Sequence, residues 1–300
     1  MMSFRLPTES GELQLRVGSA SHVGMVRTVN EDAVLAEPPV FAVADGMGGH
    51  SFGDRASATA ILALHEEFDP EQAADAAQVF EAIRRANAAV RELTAWAGGD
   101  HVIVGTTLTG VALVTEHADA APQWMVFNVG DSRVYRWHAG AGAGALERLT
   151  IDHSIVQELL DAGLIDEEAA KVHPERNVIT RALGAADEAL PEAWLLPATE
   201  MQTFLICSDG LTKELDDAQI AELVAPFGSF EDPDAVVDRL LAASLAAGGS
   251  DNVSIVLVHA DYHGVLRVPR GDDAYGVDEE TRERGLSWLS PELADTRPRG

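Results

Sequence analysis

Cysteine is almost absent from this chain, because Cys207 is the only one. No internal disulfide can form, and a metal site built from several thiolates is excluded. The apolar neighbours of Cys207 indicate a buried strand, and a reactive thiolate needs an electropositive setting that these neighbours do not provide. We therefore interpret Cys207 as a core residue and look for the chemistry of this chain in other side chains.

Long apolar runs and positive charge are also scarce. No window approaches about 18 consecutive apolar residues, and the first residues lack a basic segment followed by an apolar one, so we predict neither a membrane span nor a secretory leader. The 21 Lys and Arg residues face 49 Asp and Glu, which gives a net charge of −28, and Lys171 and Lys213 are the only lysines. This acidity disfavours nucleic acid and anionic membranes as partners. A cytoplasmic monomer is the expectation.

One glycine-rich stretch suggests a metal ligand. The segment Val40–Ala44 is wholly apolar and is followed by Asp45 and by glycines at 46, 48 and 49. This pattern predicts a short buried strand that stops at Asp45 and then turns. A carboxylate at the tip of a rigid strand, beside accessible backbone carbonyls, suits a metal site, whereas an ordinary tight turn is the alternative.

The same arrangement recurs three times. Asp209 ends an apolar run, Asp131 follows another strand pattern, and Asp251 lies in a glycine turn before a third. Hard divalent cations require a cage of oxygen ligands, which several carboxylates supply. Because four coincident turns are less probable than one shared site, we predict that these aspartates converge.

The hydrophobic periodicity predicts the layers of the fold. Helices are predicted at 51–68, 72–96, 217–224 and 232–246, with a shorter one that begins at Asp152 or Ser154 and ends at Gly163. Strands are predicted at 13–18, 33–36, 40–44, 105–114, 123–129, 133–137, 194–196, 203–208 and 253–259, and 123–129 pairs with 133–137 as a hairpin. This order predicts an α+β fold, a four-layer αββα sandwich with two packed antiparallel β-sheets flanked by helix pairs and a small flap.

The chain is divided into three parts by composition. Residues 1–12 are polar and patternless and are predicted to be a loose lead, and residues 13–262 form the folded domain. Within that domain, 157–177 is polar and is predicted to be a flap over the surface. For 263–300 we predict disorder, because it has too little apolar area to order itself, with a docking segment as the alternative.

Seven short motifs occur in a fixed order. They lie at Arg27–Asp32, Val43–His50, Gly105–Thr107, Asn128–Arg133, Leu149–Ser154, Ser208–Gly210 and Ser250–Asn252. Each is weak alone, but as an ordered set they resemble the bacterial metal-dependent protein serine/threonine phosphatases of the type-2C (PPM) family, over roughly residues 13–260. The resemblance implies an enzyme that hydrolyses phosphoserine and phosphothreonine in proteins and antagonises a Ser/Thr kinase.

The resemblance also implies a set of metal ligands. In that family two Mn²⁺ or Mg²⁺ ions share a carboxylate and activate a water that attacks phosphate, which matches two-metal chemistry in general. By resemblance, Asp45 is the bridging ligand and Gly46 contributes its carbonyl to one ion. Asp209 and Asp251 correspond to ligands of the other ion. Asp131, together with Asp209, corresponds to the residues that bind a third, weaker ion.

Further residues are implied around these ligands. Glu31 and Asp32 match the acidic pair that holds metal-bound waters, and Asn252 is expected to orient its neighbour Asp251. We predict that Arg27 grips phosphate oxygens with its planar fork. The alternative for Arg27 is a surface ion pair with Glu31 or Asp32.

Three points stay open at this stage. Met47 stands where animal members of the family place a histidine that is proposed as the general acid. The candidates for the general acid here are His50, His153 or a metal-bound water. For His153, a structural hydrogen-bonding role is the alternative. The substrate is also open, and an anti-sigma-factor antagonist is one possible class. A scaffold that binds phosphoprotein without turnover is the rival function, although none of the four aspartates is missing.

Overall fold

The computed structural model describes residues 2–8, 11–48, 52–96, 104–115, 121–138, 146–198 and 201–264. The strands are β1 (Met2–Thr8), β2 (Gly11–His22), β3 (Asp32–Glu37), β4 (Val40–Met47), β5 (Gly105–Thr106), β6 (Leu108–Val114), β7 (Gln123–Val129), β8 (Arg133–Trp137), β9 (Leu146–Arg148), β10 (Glu192–Pro197), β11 (Gln202–Cys207) and β12 (Val253–Gly264). The helices are α1 (Gly53–His65), α2 (Ala76–Trp96), α3 (Ile155–Asp161), α4 (Glu167–Lys171), α5 (Asp209–Thr212), α6 (Asp217–Val224) and α7 (Pro233–Ala247). The predictions for the tail beyond Gly264 lie outside the described residues.

The strands form two sheets. The first has the order β1-β2-β12-β11-β8-β9, and the second has the order β10-β7-β6-β4-β3 with β5 paired to β4. Every strand pair whose register is described is antiparallel. The prediction of two antiparallel sheets is therefore confirmed.

Apolar side chains from both sheets meet in a central core. The ring of Trp124 on β7 lies 5.2 Å from that of Phe204 on β11 and 6.3 Å from that of Phe41 on β4. Helices α1 and α2 cover the outer face of the second sheet, and α6 and α7 cover that of the first. The four-layer αββα arrangement is thus the one predicted.

Local sequence accounts for the covering helices. On α1, Ala56, Ala60 and Leu64 recur every four residues and are fully buried against the sheet, as an amphipathic helix requires. Helix α6 begins with a capping box between Asp216 and Gln219, which satisfies backbone N–H groups that the first turn leaves free. Inward apolar residues therefore place α1 close to the sheet, and a capping box defines where α6 begins.

The predicted loose lead is wrong, because residues 2–8 form β1. This strand pairs with β2 in a register that sets Leu6 opposite Leu13, and both side chains are buried in the core between the sheets. The strand is ordered by its neighbour and by the burial of Leu6, and neither is visible in the local pattern of residues 1–12. The folded domain therefore begins before residue 13.

The predicted hairpin of 123–129 with 133–137 is also wrong. Strand β7 belongs to the second sheet and β8 to the first, and Val126 and Val134 are both buried in the central core between the sheets. The chain crosses at Gly130, whose φ of +113° is unfavourable for residues with a Cβ. The two short strands are stabilised more by facing the shared core than by pairing side by side.

The strand through Asp45 continues further than predicted. Gly46 pairs with Thr106 and Met47 with Gly105, so β4 ends at Met47 and not before Asp45.

In the flap region the prediction is closer to the structure. The side chain of Ser154 caps α3, and Gly163 follows the helix with a φ of +66°. Neither α3 nor α4 has a buried residue. Among the helices in the described part of the chain, none combines the length and the apolar character of a membrane span.

The central core provides a test of the packing. We expect Trp124→Ala to lower the free energy of unfolding by about 3–5 kcal/mol, because it leaves a cavity between the sheets. Trp124→Phe keeps an aromatic ring and removes an indole Nε1 that has no hydrogen-bond partner among the described residues, so its cost should be about 1–2 kcal/mol. Urea unfolding followed by circular dichroism measures both, and equal losses would contradict this account.

Candidate metal centre

Strand register brings the four predicted aspartates to one end of the sandwich. Asp45 lies near the end of β4, and its carbonyl accepts a 2.9 Å hydrogen bond from the backbone N–H of Thr107, just before β6. Asp131 lies where the chain crosses from β7 to β8, while Asp209 follows β11 and Asp251 precedes its partner β12. All four side chains line one cavity of about 770 Å³. The predicted convergence is present in the structure.

Hydrogen bonds hold the backbone around Asp45. The backbone N–H of Asp45 donates to Oγ1 of Thr107 at 2.9 Å, and this hydroxyl also lies 2.9 Å from Oγ of Ser132, next to Asp131. Gly46 donates to the carbonyl of Glu31 at 3.0 Å, and a Cβ at Gly46 would lie 2.5 Å from that same oxygen. The position therefore requires glycine and fixes the carboxylate that precedes it.

The carboxylates are buried close to one another, and this raises their pKa values. Burial raises the pKa of Asp45 well above its usual range, and the charges of Asp209, Asp32 and Asp131 raise it further. Burial, followed by the charge of Asp209, raises the pKa of Asp131 to about 7. Burial likewise raises the pKa of Asp32 to about 7, although a hydrogen bond from Ser208 opposes the shift. The cluster holds more negative charge than its surroundings neutralise.

Two basic side chains of the chain itself enter this cluster. Nζ of Lys213 lies 2.6 Å from Oδ2 of Asp209 and 2.7 Å from Oδ2 of Asp251. The Nε of Arg27 lies 3.0 Å from Oδ1 of Asp251. Although burial opposes it, the hydrogen bond from Lys213 lowers the pKa of Asp251, and the charge of Arg27 adds to the effect. Sequence reasoning missed Lys213, whose signal was its position four residues after Asp209 and the rarity of lysine in this chain.

The donor set fits a hard divalent cation. Among the described residues no three His, Cys, Asp or Glu side chains are arranged so that they could hold a metal ion as they stand, and Nζ of Lys213 lies beside both Asp209 and Asp251. However, Oδ1 of Asp209 and Oδ1 of Asp32 are buried without a hydrogen-bond partner in the described part of the chain. Buried, unpartnered carboxylate oxygens are costly without a cation, and oxygen is the donor that Mg²⁺ and Mn²⁺ prefer.

Asn252 connects the cluster to the loop that carries Arg27. Its backbone N–H donates to Oδ1 of Asp251 at 2.9 Å, so the expected orientation of Asp251 is provided by the backbone. Its side chain instead accepts from the N–H of Glu31 at 2.8 Å and donates to the carbonyls of Val23 and Val29 at 2.9 Å each. The amide of this one side chain thus fixes residues 23–31 against the start of β12.

The acidic pair occupies two different places. Asp32 lies directly opposite Asp45 in the β3–β4 register, and its Oδ2 accepts a 2.8 Å hydrogen bond from Oγ of Ser208, next to Asp209. Glu31 lines the cavity, and burial raises its pKa, with a smaller lowering by Arg27. Asp32 therefore lies behind the cluster, whereas Glu31 faces the open side.

Arg27 lies at the rim of the cavity. Its side chain is 50% exposed, and its ion pair is with Asp251, not with the predicted alternatives Glu31 or Asp32. Three residues near the flap, Arg176, Asn177 and Ile179, also line the cavity and were not singled out in the sequence. The rim is therefore built from the Arg27 loop on one side and from the end of the flap region on the other.

The candidates for a general acid are reduced by the structure. His153 is buried, its Nδ1 accepts a 3.0 Å hydrogen bond from the N–H of Gly130, and its Nε2 lies 3.3 Å from Glu192. These contacts are those of a structural hydrogen-bonding residue. Met47 lines the cavity, and no histidine does so among the described residues. His50 lies outside them.

Comparison with known proteins points to one family. The sequence model of the protein phosphatase 2C family matches residues 25–246, well over half of the chain. Among curated proteins, the serine/threonine protein phosphatase PstP of Mycobacterium tuberculosis is 35% identical over 248 residues, which cover 82% of this chain but 45% of PstP. The serine/threonine phosphatase stp of Listeria monocytogenes is 33% identical over 245 residues, which cover 79% of this chain and 93% of that protein.

Solved structures agree with this result. The PPM Ser-Thr phosphatase MsPP of Mycobacterium smegmatis in complex with cacodylate is 36% identical with a TM-score of 0.68, and the match covers 81% of this chain and 97% of that one. The catalytic domain of PstP in complex with two manganese ions is 32% identical with a TM-score of 0.71, covering 83% of this chain and 99% of that one. This chain spans about half the length of the whole PstP protein. By its sequence and its fold, the chain belongs to the protein phosphatase 2C family.

Proposed function

We propose that this chain is a metal-dependent phosphatase that hydrolyses phosphoserine and phosphothreonine in proteins. The observation that carries the proposal is the convergence of four aspartates from four strand ends in one cavity with an arginine at its rim. Asp45, the carbonyl of Gly46, Asp209 and Asp251 would hold two Mn²⁺ or Mg²⁺ ions, and Asp131 with Asp209 would hold a third, weaker one. The PstP catalytic domain that contains two manganese ions supports this assignment.

A bound pair of these ions supplies an acidified water and neutralises charge on the phosphoryl oxygens. Asp45 would take the shared position that the resemblance implies, and it lines the same cavity as Asp131, Asp209 and Asp251. Glu31 faces the cavity and would accept hydrogen bonds from metal-bound waters there. Asp32 lies behind the aspartate cluster and would accept hydrogen bonds from metal-bound waters on that side. The side chain of Asn252 keeps Glu31 in place through the 2.8 Å bond to its backbone N–H.

Arg27 would bind the phosphate of the substrate. Its half-exposed guanidinium lies beside the carboxylate cluster and presents a planar fork that matches two phosphoryl oxygens. A covalent phosphocysteine is not expected, because Cys207 is fully buried and burial raises its thiol pKa to about 12. Direct attack by water is therefore the reaction that the site favours.

The acidic character of the chain bears on the substrate. A net charge of −28 favours phosphosites that are flanked by basic residues, since those residues are attracted to an acidic protein. The kinase counterpart, the monomeric state and the cytoplasmic location stay predictions from the sequence. An inactive scaffold would not need the full set of four aspartates, so we retain it only as an outcome of the test below.

The first test concerns metal dependence. We expect hydrolysis of p-nitrophenyl phosphate with Mn²⁺ to be abolished by a chelator and to fall at least about 100-fold in Asp209→Ala, since one ion loses a ligand. Asp238→Ala, which removes an exposed aspartate on α7, is the matched control and should retain the rate of the natural protein. Equal rates for the natural protein and Asp209→Ala, with and without chelator, would rule out the mechanism.

The second test concerns the phosphate contact. Arg27→Ala should lower kcat/KM for a phosphopeptide roughly 10- to 100-fold, because a hydrogen-bonded charge is lost. Arg84→Ala removes an exposed arginine that pairs with Glu81 on α2, and it should leave the rate unchanged. Steady-state kinetics on both variants separate the two cases. An unaffected Arg27→Ala enzyme would show that phosphate is bound by other groups.

The third test concerns the repulsion in the cluster. Because the folded pKa of Asp131 is about 7, above the usual value of about 3.9, its favourable contribution is present at low pH and is lost as pH rises through 7. Asp131→Asn should therefore raise the thermal midpoint of the chelator-treated protein by at least about 3 °C at pH 8, and by less at pH 5. Differential scanning calorimetry, with Asp238→Asn as control, measures this. A parallel pH dependence in all three proteins would contradict it.

A further inference from the structure

The ammonium of Lys213 lies between two of the proposed metal ligands. Its Nζ is 2.6 Å from Oδ2 of Asp209 and 2.7 Å from Oδ2 of Asp251. The three side chains are partly buried, with 28%, 17% and 16% of their surfaces exposed for Lys213, Asp209 and Asp251. The chain thus supplies its own positive charge at the point where a divalent cation would bind both carboxylates.

The position of Lys213 is fixed by the helix that carries Asp209. Lys213 directly follows α5, and its backbone N–H donates to the carbonyl of Asp209 at 2.7 Å, so the two side chains share a helix face. Helix α5 is packed tightly, because Leu211 is fully buried and the carbonyl of Gly210 accepts a hydrogen bond from Ser244. The backbone of Lys213 is therefore held in a fixed position beside Asp209.

We propose that Lys213 is an internal competitor for the divalent cation that binds Asp209 and Asp251. In the metal-free protein its ammonium neutralises the two carboxylates and holds them together, and it leaves them when the cation binds. This proposal deepens the proposed function and rests on it, because it takes Asp209 and Asp251 as ligands of one ion. Lys213 is a positioning residue in this scheme, since it acts on the ligands and not on the substrate.

A second cavity next to Lys213 can accommodate the displaced ammonium. Lys213 also lines a second cavity of about 520 Å³, which lies between the body and residues 154–177. Asp216 lines that cavity, as does Asp152, whose carboxylate is already paired with Arg133 at 2.7 Å and with Arg148 at 2.6 Å, so Asp216 is the carboxylate that the displaced ammonium can approach. A rotation of this long, flexible side chain is sufficient, and the strands and helices that carry the ligands can stay in place.

The competition has a measurable consequence for metal affinity. Only molecules in which Lys213 has left the carboxylates can bind the cation, so the apparent dissociation constant exceeds the intrinsic one by the inverse of that fraction. Removing the ammonium should therefore strengthen metal binding. This direction is opposite to that expected from damage to the site, which separates the proposal from a structural role of Lys213.

The first experiment measures Mn²⁺ binding by isothermal titration calorimetry. Lys213→Met should lower the dissociation constant by about tenfold relative to the natural protein. Lys213→Arg, which keeps the charge, should retain weak binding. Lys171→Met removes the only other lysine, which pairs with Glu168 on the surface of α4, and should bind as the natural protein does. Equal or weaker binding by Lys213→Met would overturn the proposal.

The second experiment uses the natural protein and needs no variant to fold. An amine-acetylating reagent is applied with and without Mg²⁺, and the peptides that contain Lys171 and Lys213 are quantified by mass spectrometry. Mg²⁺ should increase the labelling of Lys213 severalfold, because its ammonium is released, and should leave Lys171 unchanged. Labelling of Lys213 that is insensitive to Mg²⁺ overturns the proposal.

The two experiments also separate this proposal from the proposed function. If the natural protein binds Mn²⁺ but Lys213→Met binds it no better, the competitor role fails and the metal-dependent phosphatase stands. If the natural protein binds no Mn²⁺, the proposed metal ligands fail and the role of Lys213 fails with them.

Discussion

Repulsion between buried carboxylates is the constraint on which this structure depends. Asp45, Asp131 and Asp32 all have raised pKa values because they are buried near Asp209 or near one another. Such a cluster would disperse on a flexible scaffold, since each ionised group gains by moving into water. The sandwich prevents this by placing each carboxylate at the end of a strand that is packed into the core. The cost of concentrating negative charge is then offset by cations, whether from the chain or from solution.

The crossing of the chain between the sheets is central to this arrangement. At Gly130 the polypeptide leaves the second sheet and enters the first, and Asp131 lies at that point. The hydroxyls of Thr107 and Ser132, 2.9 Å apart, join the crossing to the backbone of Asp45. The aspartates that the two sheets contribute are therefore held by one hydrogen-bonded connection as well as by the central core.

Hydrogen bonds between distant residues also hold the rim of the cavity. The loop that carries Arg27 has no regular structure between β2 and β3, yet the side chain of Asn252 holds it through three hydrogen bonds to its backbone. A loop held in this way can present an exposed arginine at a defined position. On the opposite side, Arg176 and Asn177 come from the flap region, whose helices have no buried residues. One side of the rim is thus fixed by the Asn252 amide, and the other by backbone hydrogen bonds that join Val178 to Ile155 at 3.0 Å and Thr180 to His153 at 2.8 Å.

The sequence alone determined the layers and the four aspartates that share one cavity, whereas the tertiary structure decided how they are connected. Apolar periodicity is local, so it located the main helices, most strands and the four strand ends that carry aspartates. Strand pairing is not local, and for that reason β1 was missed and β7 and β8 were wrongly joined in one hairpin. Side-chain contacts between distant residues were equally hidden: the bonds of the Asn252 amide and the approach of Lys213 to Asp251 exist only once the strands are assembled. A residue's spacing along the chain reveals which face it occupies, but its partners are set by the packing of the whole domain.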